Sequence, residues 1–394
     1  MTPSTLQTRN MTKPVPLAAI VLAAGASSRM GRFKPLLPLG GVSAIERSIS
    51  VFHGAGIQNV SVVLGCRAES LRPIVQSCGA HSIVNPRWDE GMYSSVAAGA
   101  QALTGDVAGA FVLPADTPLV RSYTIGQLAD AFSESCNGIV YPVFDDRRGH
   151  PPLISSSILR QIAAGAPGPL SSVLAKHEEC ARDVIVADEA IHLDMDWPPD
   201  FDALQALAAG RNIPTKSECE ALFSEYQVPE PVVRHSRAVA EVAVRITDAL
   251  RRSGFTVDRE LTLAGGLLHD IAKGQPRHAD VGASMLRKRG MCSVADAVES
   301  HTEICFQGIV DERAIVYLAD KLISGENLVT LDERFRSALE RFANRPDALA
   351  AARRRKSDAE RIAVAIESML SMPLNVIVRD PCRPISTLAE VAHE

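Results

Sequence analysis

The chain has 394 residues, 46% of them apolar, and a formal net charge of −5. That length exceeds what one core usually serves, so two domains are expected, and mild acidity excludes the basic footprint of a nucleic-acid-binding domain. No stretch approaches the roughly 20 apolar residues of a membrane span, and eight scattered cysteines without a C-x-x-C pair fit reduced thiols in a cytoplasmic protein better than a disulfide scaffold or a zinc ribbon.

Residues 1–15 read as a flexible tail, within which Met11 could serve as the start. Lys13 followed by "LAAIVLAAGA" imitates a short signal peptide, but the run leads directly into a basic loop. From Ala18 to about Ala209 short apolar strands alternate with helices. "AAIVLAAG" reads as a buried strand, "SAIERSISVFHGAG" as a helix, "NVSVVLG" as a strand and "AESLRPIVQSCG" as a helix. "HSIVN", "AGAFVLPAD", "GIVYPVF" and "DVIVAD" continue the strands, with helices over "SSVAAGAQAL" and "SYTIGQLADAF". This alternation predicts a mostly parallel sheet covered on both faces, with ligands at the carboxyl ends of its strands.

After about Gly210 the strand-like runs vanish. "PVVRHSRAVAEVAVRITDAL" has helical apolar spacing, and "ELTLAGGLLHDIAKG" reads as a helix stopped at Gly274. Further helices are expected over "ADVGASMLRKRG", "SVADAVESHTE", "RAIVYLADKLI" and "DAERIAVAIESML". The expected organisation is an α/β domain over 16–209, an all-α domain over 210–372 and a tail over 373–394.

Two loci carry chemistry. The first is "LAAGASSRMGRFK", Leu22 to Lys34, directly after the first strand. It is neither a Walker A sequence nor G-x-G-x-x-G, yet it supplies what a triphosphate needs. Gly25 and Gly31 allow backbone amides to approach phosphates. Arg29 and Lys34 neutralise charge, arginine through a forked donor pair.

This loop resembles the signature of the molybdenum cofactor group of nucleotidyltransferases, MobA-like enzymes that join a nucleoside monophosphate to a phosphorylated acceptor and release pyrophosphate. The resemblance covers roughly residues 17–207 and implies a Rossmann-like α/β fold, with Leu22, Ala23, Ala24, Gly25, Arg29, Gly31 and Lys34 on the nucleotide. The "LAAG" form is similar to the branch that uses CTP, whereas the GTP branch usually has a second glycine at the Ala24 position. "NPRWDEGMYSSV" resembles the family's substrate segment and puts Ser94 and Ser95 at a helix start, a ready anion site. "LPADTPLV" and "HLDMDWPPDFDAL" resemble its acidic motifs and nominate Asp116 and Asp196 for Mg²⁺, although Trp197 takes a slot that is commonly threonine. "RRGHPPLI", with Gly149, His150 and Pro151, resembles a segment near the acceptor. The implied acceptor is molybdopterin and the implied onward partner a molybdoenzyme; a sugar phosphate or another alcohol phosphate stays open as acceptor.

The second locus is "LLHDIAKG", which sets His269 beside Asp270 at a helix end, with His235 upstream and His278, His301 and Asp320 downstream. Imidazoles and carboxylates without cysteine suit iron, manganese, zinc or magnesium rather than soft metals. The order H…HD…H…H…D resembles the HD-domain metal-dependent phosphohydrolases over roughly 217–330. By that resemblance His235, His269, Asp270 and Asp320 bind one metal, iron or manganese, and Asp270 bridges to a second completed by His278 and His301. Lys273 is then placed to hold a phosphate oxygen as a catalytic group. A regulatory module that senses a nucleotide without hydrolysing it remains the alternative.

Overall fold

The computed structural model describes residues 15–134, 138–166 and 168–379. The expected N-terminal tail up to Pro14, Cys136 and the segment from Asp380 onward lie outside the described residues. The chain divides into two compact units, Met1–Ala209 and Gly210–Glu394.

The first unit is built on strands β1 (Leu17–Ala23), β2 (Pro38–Leu39), β3 (Val42–Ser43), β4 (Asn59–Leu64), β5 (His81–Val84), β6 (Gly109–Pro114), β7 (Ile139–Phe144), β8 (Arg147–Arg148), β9 (Leu153–Ser155) and β10 (Ala181–Ile185). One sheet runs β10-β7-β9-β6-β1-β4-β5, with β8 on β7, while β2 and β3 form a separate pair. β1 lies between β4 and β6, parallel to both. Its residues Ala18 to Val21 are fully buried, which is why the run carries no polar alternation. β9 is antiparallel to β6 and β7, so the sheet is mixed rather than purely parallel.

Helices α1 (Ala44–Gly54), α2 (Ala68–Ser77), α3 (Met92–Ala102), α4 (Ser122–Ser133), α5 (Ser156–Ala163), α6 (Leu170–Ala175) and α7 (Pro198–Ala209) complete the unit. α1 starts where the sequence signals it, because Ser43 and Glu46 form a reciprocal capping box. α3 sits close on the sheet: a Cβ on Gly99 would lie 2.5 Å from Ile20 Cγ2. α5 and α6 have no counterpart in the sequence reading.

The second unit contains α8 (Lys216–Glu225), α9 (Glu230–Arg252), α10 (Arg259–Leu268), α11 (His278–Lys288), α12 (Cys292–Ser300), α13 (Glu312–Leu322), α14 (Leu331–Arg341), α15 (Pro346–Leu370) and α16 (Leu374–Val378). Two sequence expectations are corrected here, the end of α10 and the start of the tail. α10 stops at Leu268, well before Gly274, because the chain enters tight turns in which Ile271 N–H donates to Leu268 O and Lys273 N–H to Asp270 O. The unit is helical as expected, with one short addition: β11 (Ile323–Ser324) and β12 (Asn327–Leu328) form an antiparallel pair around Gly325 at φ +62°. The expected tail from residue 373 begins instead with α16, whose Leu374, Ile377 and Val378 join the core of α9, α13 and α15. Arg245 anchors it by donating to Val378 O at 2.7 Å.

Candidate functional site

In the first unit, register decides what meets what. Leu22 of β1 is paired with Pro114 of β6, and Ala115 N–H donates to Leu22 O at 2.9 Å. The loop after β1 and Asp116 therefore leave the sheet at one edge. The carbonyls of Leu22 and Ala24 are taken by the scaffold, the latter by Cys66 N–H. Within the loop, Ser27 and Gly31 take positive φ, and Ser27 Oγ accepts from Lys34 N–H at 3.1 Å. Met30 is buried in a small core with Leu39, Phe201 and Leu204, which pins the loop to α7. A Cβ on Gly25 or Gly31 would meet nothing within 4 Å, so open space lies beside both.

The cations and acids nominated from three separate segments converge. Lys34 Nζ lies 2.5 Å from Asp196 Oδ1 and 3.2 Å from Asp116 Oδ2. Arg29 Nη1 holds Asp196 Oδ2 at 2.7 Å. Burial works against the Lys34 ammonium, but the hydrogen bond to Asp196 and the charge of Asp116 outweigh it and raise its pKa. The same Lys34 hydrogen bond lowers the pKa of Asp196.

Asp194 belongs to this cluster and was not nominated. Its Oδ1 accepts from Asp196 N–H at 3.3 Å, and burial, then the charges of Asp196 and Asp116, raise its pKa. The signal was the alternation in "DMD": buried Met195 is flanked by two acids. Asp194, Thr117, Arg147, His150 and His192 line a cavity of about 420 Å³. His150 Nδ1 is buried without a hydrogen-bond partner among the described residues, and burial lowers its pKa. Gly149 is needed beside it, since a Cβ there would lie 2.6 Å from Ile191 O.

Ser94 and Ser95 are a correction. Both are buried, Asn85 Nδ2 donates to Ser94 Oγ at 2.9 Å and to Ser95 Oγ at 3.1 Å, and Ser94 Oγ donates to Arg87 O. Their hydroxyls are spent inside the fold. What α3 offers an anion is its first-turn backbone N–H groups, which have no side-chain cap.

In the second unit, the six nominated residues form two groups of ligand atoms, each within 4.8 Å: His235, His269 and Asp320, and Asp270, His278 and His301. Asp270 faces both. Its Oδ2 is 3.5 Å from His269 Nε2, and its Oδ1 is 3.1 Å from His278 Nε2 and 3.4 Å from His301 Nε2. Asp320 Oδ1 is 3.3 Å from His235 Nε2 and 3.7 Å from His269 Nε2. Lys273 Nζ reaches Asp270 Oδ2 at 2.8 Å while half-exposed.

Comparison with known proteins agrees with both halves. Residues 19–180 match the MobA-like NTP transferase domain and residues 232–325 match the HD domain. The chain joins a MobA-like NTP transferase domain to an HD domain. An uncharacterized protein of Methanocaldococcus jannaschii is 35% identical over 126 residues, 26% of this chain and 73% of that one. Bifunctional protein GlmU of Pelobacter propionicus is 35% identical over 137 residues, which is 34% of this chain and 29% of GlmU. Nicotine blue oxidoreductase of Paenarthrobacter nicotinovorans is 28% identical over 193 residues, 46% of this chain and 92% of that protein. The solved structure of Rv0371c from Mycobacterium tuberculosis aligns with 49% of this chain and 99% of its own, at 24% identity and a TM-score of 0.43. The chain thus spans less than a third of GlmU's length. Among the described residues no helix is long and apolar enough to cross a membrane.

The donor set of the HD domain suits a divalent cation. His235 Nδ1 lies 2.8 Å from Gly325 O, His269 Nδ1 2.8 Å from Gly266 O and His301 Nδ1 2.6 Å from Val298 O. In neutral rings these contacts put the proton on Nδ1 and leave Nε2 a bare lone pair, the arrangement that orients ligating histidines. Those lone pairs face carboxylate oxygens, and buried His269 Nε2 and Asp270 Oδ1 make no hydrogen bond among the described residues. A cation between them removes the conflict. Without one a proton takes the place: burial opposes charge on His269, but Asp270 and Asp320 outweigh it and raise its pKa. Metal and proton therefore compete. Uptake of Mn²⁺ should release protons and weaken as pH falls through the raised titration range of His269, above that of a free imidazole, which calorimetry in two buffers of different ionisation enthalpy reads directly; affinity independent of pH would contradict this.

The HD domain also needs its paired glycines. A Cβ on Gly266 would lie 2.6 Å from Ala240 Cα, and one on Gly265 3.0 Å from Val316 Cγ2. α10 can thus press against α9 and α13, the helices carrying His235 and Asp320. Gly266→Ala is expected to cost about 1–3 kcal/mol by overpacking and to lower metal affinity with it. Denaturant unfolding and metal titration check this; unchanged unfolding would refute the close-packing argument.

Proposed function

We propose that the transferase domain moves CMP from CTP to a phosphorylated acceptor, molybdopterin, with release of pyrophosphate, and that the HD domain is a metal-dependent phosphohydrolase. The observation that carries the first part is the shared contact of Lys34 with Asp116 and Asp196. Two carboxylates that meet one ammonium nitrogen are within reach of one small cation, and hard oxygen donors suit Mg²⁺. Held there, Mg²⁺ supplies charge neutralisation on the triphosphate.

The chain's own residues do the rest. Arg29 and Lys34 turn to the phosphates of the nucleotide, for which the open space beside Gly25 and Gly31 leaves room. An acceptor phosphate oxygen bonds to the α-phosphorus, the bond to the β-phosphate breaks, and pyrophosphate departs. No protein nucleophile takes part; positioning and charge stabilisation carry the rate. The assignment of cytosine rests on Ala24 in "LAAG". The product would pass to a molybdoenzyme.

For the HD domain the supporting observation is Asp270, which offers one oxygen to each histidine group. Cations held by His235, His269, Asp270, His278, His301 and Asp320 would supply Lewis acidity and an activated water at neutral pH. Lys273 and the ligand set orient the phosphoryl group.

The test is pyrophosphate release by the full chain with each nucleoside triphosphate, with and without molybdopterin. CTP with molybdopterin should give the fastest release. GTP outperforming CTP would overturn the base assignment, and no dependence on molybdopterin would overturn the acceptor.

A further inference from the structure

A cation that no motif announces stands beside the metal groups of the HD domain. Arg334 lies on α14, beyond the 232–325 segment that matches the HD domain. Its Nη2 is 3.9 Å from Asp320 Oδ1, the oxygen that also faces His235 and His269. Its Nε is buried and has no hydrogen-bond partner among the described residues. About a third of the side chain remains exposed, so one part of the guanidinium is desolvated while another meets solvent.

Asp320 does not need this arginine as its counter-ion. Lys321 Nζ is buried and already holds Asp320 Oδ2 at 2.5 Å, while also donating to His301 O at 2.9 Å. At 3.9 Å, Arg334 is too far to hydrogen-bond Asp320 directly. The charge balance points the same way. Asp270 and Asp320 face three cationic side chains, Lys273, Lys321 and Arg334, before any metal is counted. Divalent ions would add further positive charge, and a dense cationic centre calls for a multiply charged anion. A guanidinium with unused donors matches the oxygens of a phosphoryl group in forked geometry.

We propose that Arg334 binds the phosphoryl group of the HD-domain substrate, fixing as substrate class a phosphate ester or anhydride with its charged end toward the His235–His269–Asp320 side. This rests on the reading of the HD domain as a metal centre that takes phosphate substrates. α14 thereby becomes part of the site, and the site extends past the matched segment.

The probe is inorganic phosphate, titrated calorimetrically into the Mn²⁺-loaded full chain carrying Lys34→Ala, which removes the main phosphate-seeking cation of the other domain. Bound manganese is measured on the same samples. Adding Arg334→Ala should leave the manganese content of the parent and weaken phosphate binding about ten- to a hundredfold, the scale of one charge-assisted contact. Arg334→Lys should recover part of that loss. Unchanged phosphate affinity in Arg334→Ala would overturn the proposal. So would loss of manganese together with phosphate, because Arg334 would then support Asp320 rather than bind substrate. A parent that binds neither manganese nor phosphate would instead refute the underlying reading of the centre.

Discussion

Asp270→Ala is expected to empty both metal groups at once. Its two oxygens lie on opposite sides of the centre, Oδ2 toward His269 and Oδ1 toward His278 and His301. Burial alone would raise its pKa, yet the three histidines that face it hold it well below the usual carboxylate range. That shift favours the anionic form, which presents one oxygen to each side of the centre. Removing it takes an oxygen from each group of candidate ligands and leaves His278 Nε2 and His301 Nε2, 3.2 Å apart, without the charge that faces them. Phosphohydrolase turnover should fall at least about 10³-fold, since charge stabilisation by bound metal is worth several kcal/mol. Elemental analysis should show manganese or iron lost in parallel. Turnover within tenfold of the parent would exclude Asp270 as the bridge. His278→Ala is the informative partner, because it touches one group only and should remove one metal while leaving the other.

The second large effect is expected at Lys34. Its ammonium sits between Asp116 and Asp196 and is mostly buried. Lys34→Ala removes a phosphate-binding cation and leaves two acids facing each other with only Arg29 on Asp196. Loss of one preorganised charge contact typically costs 10²–10³ in rate. Pyrophosphate release should fall by about that factor, while metal content of the HD domain stays unchanged. Asp196→Asn is expected to act in the same direction, because it removes a carboxylate that both loop cations use. Release that survives Lys34→Ala would show that the loop does not handle the triphosphate.

Much of this was legible before any coordinates, for reasons that can be stated. The strands at 17–23, 59–64 and 109–114 are central and buried on both faces, and therefore almost continuously apolar, Asn59 and Ser61 being the polar exceptions. The histidines and acids of the HD domain have strict residue types at helix ends and carry their chemistry in the alphabet. β9 escaped because three residues after a double proline give no period to read. The α16 residues escaped because Pro373, which opens the helix, reads equally well as the start of a tail. Ser94 and Ser95 were misplaced because a hydroxyl at a helix start gives one sequence signal whether it faces a ligand or Asn85. Arg334 had no signal of its own, being one arginine among several on a polar helix. Only the fold brings it to Asp320.

Anomalous diffraction from the full chain crystallised with Mn²⁺ and CTP tests the two-centre account most directly. The account predicts two manganese peaks in the HD domain that share Asp270 as ligand, and a third beside Asp116 and Asp196 at the nucleotide phosphates. Peaks absent from both histidine groups, or a nucleotide seated away from Arg29 and Lys34, would contradict it.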